Sequence, residues 1–236
     1  MSDTVYVIPP YFPYSQGNKW TYAHKRGDEI SEVNYVIDGT ETFNGREVPK
    51  RIQAENTEEY FCTLVDPVYG VSDFKHHIGM APEYLIYTPP ANVIPARMKV
   101  GDMHYSTSHL FRFNYDGTLK DEGSFYDTTV FETVEAVTVP AGTFEKCLKL
   151  ILIRDDVFSD IIINVVLTEW IAHGVGIVKS SAKVTIYSPG GEDPFIAGAD
   201  DELRKAVVNG KSYPWGRANK KGDGNHKPSP NSERAL

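Results

Sequence analysis

The sequence predicts an all-β fold, an antiparallel open barrel or half-barrel carrying one short C-terminal helix and a flexible basic tail. Three observations carry this expectation. Roughly ten short runs alternate apolar and polar residues between turn signals, the spacing of a many-stranded antiparallel sheet. Fourteen tyrosines, with many Val, Ile and Thr, favour a pleated, half-buried surface. Fifteen prolines and nineteen glycines supply the punctuation, and no longer repeat signals a solenoid or propeller.

Residues 1–17 read as an extended arm. Val5, Tyr6, Val7 and Ile8 form a short edge strand, and Pro9, Pro10 and Pro13 then hold the chain in a polyproline-like form. A β domain follows over 18–190. Lys19 to Tyr22 opens the first alternating strand, and Ile30 to Ile37 is closed by Asp38-Gly39. Asn44-Gly45 is the strongest hairpin signal, with Arg46 to Ala54 returning. Asp66-Pro67 separates Tyr60–Val65 from Val68–Ile78, and Tyr84–Tyr87 stops at Pro89-Pro90 before a proline-spaced crossing to Asp102. Tyr105–Tyr115 and Thr118–Phe125 meet at Asp116-Gly117. Phe131 to Ile186 supplies three further strands, reversed at Pro140-Ala141-Gly142 and again near Gly174 and Gly176.

The last segment, 191–236, reads as linker, helix and tail. Asp200 or Asp201 caps a helix over Glu202–Val208, ended by Asn209-Gly210. From Lys211 the chain is polar and Gly/Pro-rich, with too little apolar surface to repay ordering.

The net charge of −8 is unevenly spread. Eight Lys/Arg against Asp223 and Glu233 give 203–236 a balance of +6, leaving −14 for the rest. An acidic body excludes phosphate-backbone binding, so no nucleic-acid partner is expected. No apolar run of about 18 residues is present, so no transmembrane segment is expected. MSDTVYVIPPYFPY lacks a basic start and a long apolar core, and by this measure the chain is cytoplasmic unless a leader precedes it.

Three blocks carry a family resemblance. Tyr11-Phe12-Pro13 with Gly17-Asn18-Lys19-Trp20-Thr21-Tyr22 is the first, and Lys99-Val100-Gly101-Asp102 after Pro95 the second. The third joins Val137 to Phe144, Cys147-Leu148-Lys149 and Trp170 to Lys179. Together they resemble the DUF3108-like and TapB-like proteins of the bacterial cell envelope, similar in outline to the LolA/LolB lipoprotein carriers. The resemblance implies a curled antiparallel sheet, an extracytoplasmic setting in the periplasm or at the cell surface, and no catalytic residues. His173 stands where the family usually has proline.

No constellation rises to a catalytic signature, so the chain reads as non-enzymatic, with no cofactor and no metal. His76 and His77 are adjacent on a strand and face opposite sides, as do His104 and His109. Close ligand pairs of the CxxC or HxxxH kind are missing. Glu169 near His173, and Glu132 with Glu135, read as solvated face charges.

The aromatic residues carry the functional reading. Trp20, Tyr22, Tyr35, Tyr84, Phe111, Phe113 and Trp170 lie on successive strands. On a curled sheet they either fill the concave face or line an apolar site for a lipid-like or other hydrophobic ligand. The alternative is a self-assembling surface protein, a homo-oligomer through sheet edges, with Val5, Tyr6, Val7 and Ile8 as an arm for strand exchange.

Cys62 and Cys147 lie in predicted strands, and alternation groups Cys147 with Glu145 and Lys149 rather than with Leu148. Both are expected to be free thiols. Alkylation under denaturing, non-reducing conditions should label two cysteines per chain, and a count of zero would reveal a bridge.

Overall fold

The computed structural model describes residues 4–78, 82–188, 190 and 193–213. Its strands are β1 (Tyr6–Val7), β2 (Lys19–Arg26), β3 (Glu29–Phe43), β4 (Arg46–Gln53), β5 (Asn56–Asp66), β6 (Gly70–Ile78), β7 (Glu83–Ile94) and β8 (Arg97–Met98). They continue with β9 (Met103–Asn114), β10 (Leu119–Val139), β11 (Gly142–Val157), β12 (Ile162–Ala172), β13 (Gly176–Tyr187), β14 (Phe195–Val208) and β15 (Lys211–Tyr213). All pairings are antiparallel, and consecutive strands are neighbours except where the short β8 steps aside to pair with β1. β14 pairs with β13 through its first half and with β2 through its second. The sheet therefore closes into a twelve-stranded barrel rather than an open one.

The expected C-terminal helix is absent, and 195–208 is β14. The cause is a bulge between Leu203 and Lys205, which resets the alternation. Buried Leu203, Ala206 and Val208 thereby acquire a first spacing of three, which in sequence imitates a helix. Asn209-Gly210, read as the end of that helix, is instead the turn between β14 and β15. Both residues have positive φ, 50° and 74°, as do Asn44 and Gly45 at 51° and 79°. Residues 211–213 belong to β15, and the rest of the expected tail, 214–236, lies outside the described residues.

Two other expected strand ends are internal irregularities. Gly39, at φ 72°, sits in a bulge between Ile37 and Thr40, and β3 runs on to Phe43. β7 likewise passes through Pro89-Pro90, because the β6 pairing jumps from Ile86 to Ala91 and asks no N–H of either proline. At Cys147 the left-handed Lys146, φ 56°, breaks the alternation, so Cys147 and Leu148 are both fully buried. Cys62 and Cys147 are free, and burial pushes their thiols up to about 12 and about 11.

The N-terminal arm closes one end of the barrel. Ile8 N–H donates to Ala96 O at 2.9 Å and Gly174 N–H to Pro10 O at 3.0 Å. Asn18 joins arm to barrel, its Nδ2 donating to Pro13 O at 2.6 Å and its Oδ1 accepting from Asn209 N–H at 2.8 Å. Ile8, Tyr11 and Phe12 are buried in the core, and Tyr6 meets the Phe131 ring edge-on at 5.3 Å. His173 takes part here, with its ring against Tyr11 at 5.2 Å. Inward side chains near the arm (Ile37, Leu148, Leu150, Ile171) are fully buried, whereas those toward the opposite end (Val33, Ile163, Val165, Val184) are only half-buried. The outward face mixes Lys19, Lys25, Glu32, Lys50, Lys149 and Lys179 among its apolar residues, unlike the apolar band of a lipid-facing barrel.

Gly70 marks the tightest backbone approach. At φ +97°, a Cβ there would lie 2.1 Å from Ile94 O and 2.5 Å from Ala96 N. Gly174, at φ +69°, has nothing within 4 Å. Gly70→Ala is expected to cost about 3 kcal/mol or more, and Gly174→Ala about 1–2 kcal/mol from backbone strain alone. Urea denaturation of both variants measures the difference, and equal costs would contradict the packing of β6 against the β7–β8 connection.

Candidate functional site

The cross-strand register sorts the expected ligand residues into two groups. Trp20 pairs with Tyr35, and both face the barrel interior with Tyr22. Tyr84, Phe111 and Phe113 face outward. There Tyr60, His77, Tyr84 and Phe113, on β5, β6, β7 and β9, stack face to face at centroid spacings of 4.7, 5.9 and 5.2 Å. Trp170 is also outside, flanked by Lys149 and Lys179, with its indole N–H donating to Glu135 at 2.5 Å. Sheet closure therefore separates a set that one concave surface was expected to gather.

Trp20 and Tyr22 are core. The Trp20 indole N–H donates to Val175 O at 2.6 Å and the Tyr22 hydroxyl to Ile177 O at 2.8 Å, and only about 10 Å³ remains beside them. The arm residues expected to exchange strands are partly tied down as well. Val5 and Val7 are exposed, Tyr6 pairs with Met98, and Ile8 is buried.

Further along the axis the barrel is hollow. A cavity of about 120 Å³ is lined by apolar side chains including Phe12, Val71, Ile94, Leu152, Leu167 and Ile177. Four charged residues, Arg51, Asp73, Arg154 and Glu169, reach the same space. Two of these are satisfied. Arg154 holds Asp127 at 3.1 Å and Asp73 at 3.6 Å, and Asp73 also accepts from the Thr63 hydroxyl at 2.8 Å.

The other two make no ion pair among the described residues. Arg51 stands on β4 in register with Ile37 on one side and Phe61 on the other. Its guanidinium lies over the Tyr35 and Phe61 rings, 5.1 Å from each centroid, and its buried Nε has no hydrogen-bond partner. His76 continues the belt, stacked on Phe61 at 4.0 Å, and burial pushes its imidazole down to about 3. Glu169, buried on β12 between Leu150 and Ser180, comes from the far side of the ring. Burial raises its carboxyl, opposed by Arg154 and Arg51. No direct ion pair joins it to Arg51 among the described residues. The interior can thus offer one fork of donors and one carboxylate to a guest among apolar walls.

The sequence groups Glu169 with His173 as surface charge. The structure separates them, placing Glu169 inside and His173 against the arm. Glu132 and Glu135 are outward, engaged by Lys149 and Trp170. His76 and His77 do face opposite sides, one in the inner belt and one in the outer stack. The interior charges had a sequence signal. Glu169 shares parity with Leu167 and Ile171, and Arg154 with Leu148, Leu150 and Leu152, so both sit on apolar faces.

Comparison with known proteins locates a family match. Residues 114–183, covering β10 to β12 and most of β13, match the DUF3108-like family. The blocks at Tyr11–Tyr22 and Lys99–Asp102 fall outside the match. No curated protein matches the chain. Among solved structures, similarity is found to a Bacteroides fragilis protein described as exported with a YmcC-like fold. That likeness has a TM-score of 0.47 and 19% identity, over 83% of this chain and 97% of that one. A Parabacteroides distasonis protein described as a lipoprotein is similar at TM-score 0.42 and 14% identity, with the same coverage of 83% and 97%.

Asp156 provides a test of the interior. Its inward carboxyl has a buried, unpartnered Oδ1, and burial pushes its pKa up to about 7, with Arg154 opposing. The folded state therefore binds more protons than the unfolded chain between the ordinary Asp value near 4 and about 7. Stability from this group falls as pH rises through that window. His76 acts in the opposite sense, so the comparison must be with a variant. Asp156→Asn should match the parent near pH 4 and exceed it by about 1–3 kcal/mol at pH 8. A constant difference at both pH values, read from urea melts, would place Asp156 in solvent.

Proposed function

We propose, with the DUF3108-like region as premise, that this chain is a non-catalytic cell-envelope protein that keeps a small, partly apolar molecule inside its barrel. The observation that carries this reading is the cavity of about 120 Å³, walled by Phe12, Val71, Ile94, Leu152, Leu167 and Ile177. Protein interiors are close-packed, and a hollow kept open across a barrel is a feature of binding proteins. The extracytoplasmic placement rests on the resemblance to envelope proteins.

The size of the hollow narrows the ligand. Pockets for drug-sized molecules run from about 300 to 1,000 Å³, so a whole lipid is too large while Phe12 and Tyr14 form the floor. A small molecule, or the end of a chain entering from the end opposite the arm, fits. Strand exchange is less well supported, because Ile8 and Tyr6 are engaged by their own barrel and closure leaves β13 and β2 both paired.

Native mass spectrometry of freshly purified protein should show an adduct of a few hundred daltons or less. Leu167→Trp should fill the hollow, abolish the adduct and leave the melting temperature unchanged or raised. A bare mass together with a marked loss of stability in Leu167→Trp would show a space already packed, and would sink the reading.

A further inference from the structure

We propose that the hollow is a site for a small zwitterion with an apolar body, of the size and kind of a free apolar α-amino acid, its carboxylate on Arg51 and its ammonium on Glu169. This rests on the reading of the barrel interior as a binding site and names what that site selects.

The partners of the interior charges decide the ligand. The cavity is lined by two arginines and two carboxylates, and a third carboxylate, Asp127, joins Asp73 in holding Arg154. That leaves Arg51, whose buried Nε has no hydrogen-bond partner, and Glu169, which makes no ion pair among the described residues, opposite in sign and on opposite walls. Burying a charge without a partner is expensive, and the cost is removed by a charge-assisted hydrogen bond. A simple anion on Arg51 would leave Glu169 without a hydrogen-bonding partner, and a simple cation on Glu169 would leave Arg51 so. A zwitterion meets both and leaves the net charge of the interior unchanged.

Geometry supports the assignment of ends. Tyr35 and Phe61 hold the Arg51 guanidinium between ring contacts of 5.1 Å, which fixes its plane and leaves its donors for a carboxylate. The remaining walls, Phe12, Leu152, Leu167 and Ile177, ask for an aliphatic or aromatic group. Their space of about 120 Å³, a little under the roughly 150 Å³ that takes benzene, is on the scale of an isobutyl side chain.

The test uses the full chain and calorimetric titration with four probes: leucine, 4-methylpentanoate, isoamylamine and toluene. Leucine should bind, and the two analogues lacking one charge should bind at least tenfold more weakly. Arg51→Met and Glu169→Gln should each weaken leucine at least tenfold while leaving toluene binding within about twofold. The analogue series on the unaltered protein decides the matter if either variant fails to fold. If 4-methylpentanoate binds as tightly as leucine, the site is a plain anion pocket and the zwitterion proposal is overturned. Toluene binding without leucine binding overturns it too, but leaves the hollow as a binding site. Binding of none of the four overturns both.

Discussion

Everything inside this molecule follows from the double engagement of β14. By pairing Phe195–Glu202 with β13 and Asp200–Val207 with β2, one strand turns a long meander into a ring. A ring of eight strands is just filled by its own inward side chains, and diameter grows with strand number. Twelve strands therefore enclose more space than alternating residues can occupy. The chain resolves this differently at its two ends. Near β8 and the His173-Gly174 turn, the arm supplies Ile8, Tyr11 and Phe12 as extra core. Beyond Tyr14 no segment among the described residues fills the axis, and planar or charged side chains line it instead.

That lining carries a cost in stability that an apolar one would not. Replacing buried ion pairs by packed hydrophobic residues is often neutral or stabilising by about 1–4 kcal/mol. The Arg154–Asp127–Asp73 group offsets its desolvation with three close contacts, including the Thr63 hydroxyl. Arg51 has only ring faces, and Asp156 keeps a bare oxygen. Groups held at such a disadvantage are what a binding site looks like before its ligand arrives, because the missing hydrogen bonds are those the guest supplies.

The strand content was legible in the sequence because alternation and turn chemistry agree almost everywhere. Asn44-Gly45, Asp116-Gly117 and Pro140-Ala141-Gly142 are turns as read. The reading failed where one signal has two physical meanings. Asn209-Gly210 serves equally as a helix terminus or a hairpin turn, and the bulge at Leu203 disguised the period that would have decided it. Gly39 and Pro89-Pro90 are punctuation that a bulged strand absorbs. The site was less legible still. An aromatic residue suits either face of a sheet, so Tyr35 and Tyr84 look alike in sequence while one lies beside Arg51 and the other on the outer stack. Charges on apolar faces were the better guide, since an Asp, Glu or Arg among Leu and Ile at the same parity has few reasons to be there.

The arm also sets what the hollow can admit. Its floor is Phe12 and Tyr14, so the volume of about 120 Å³ is defined by the chain's own N-terminal segment. Enlarging the site means withdrawing that segment. Doing so would break the Ile8–Ala96, Pro10–Gly174 and Asn18–Pro13 hydrogen bonds, each worth about 1 kcal/mol net. It would also expose Ile8, Tyr11 and Phe12, at about 1.5–3 kcal/mol for each large apolar side chain. A ligand would have to return that sum before any net affinity appeared. The size limit is therefore energetic as well as geometric: a molecule confined to the existing hollow binds without moving the arm, and a larger one works against most of the stability of that end of the barrel.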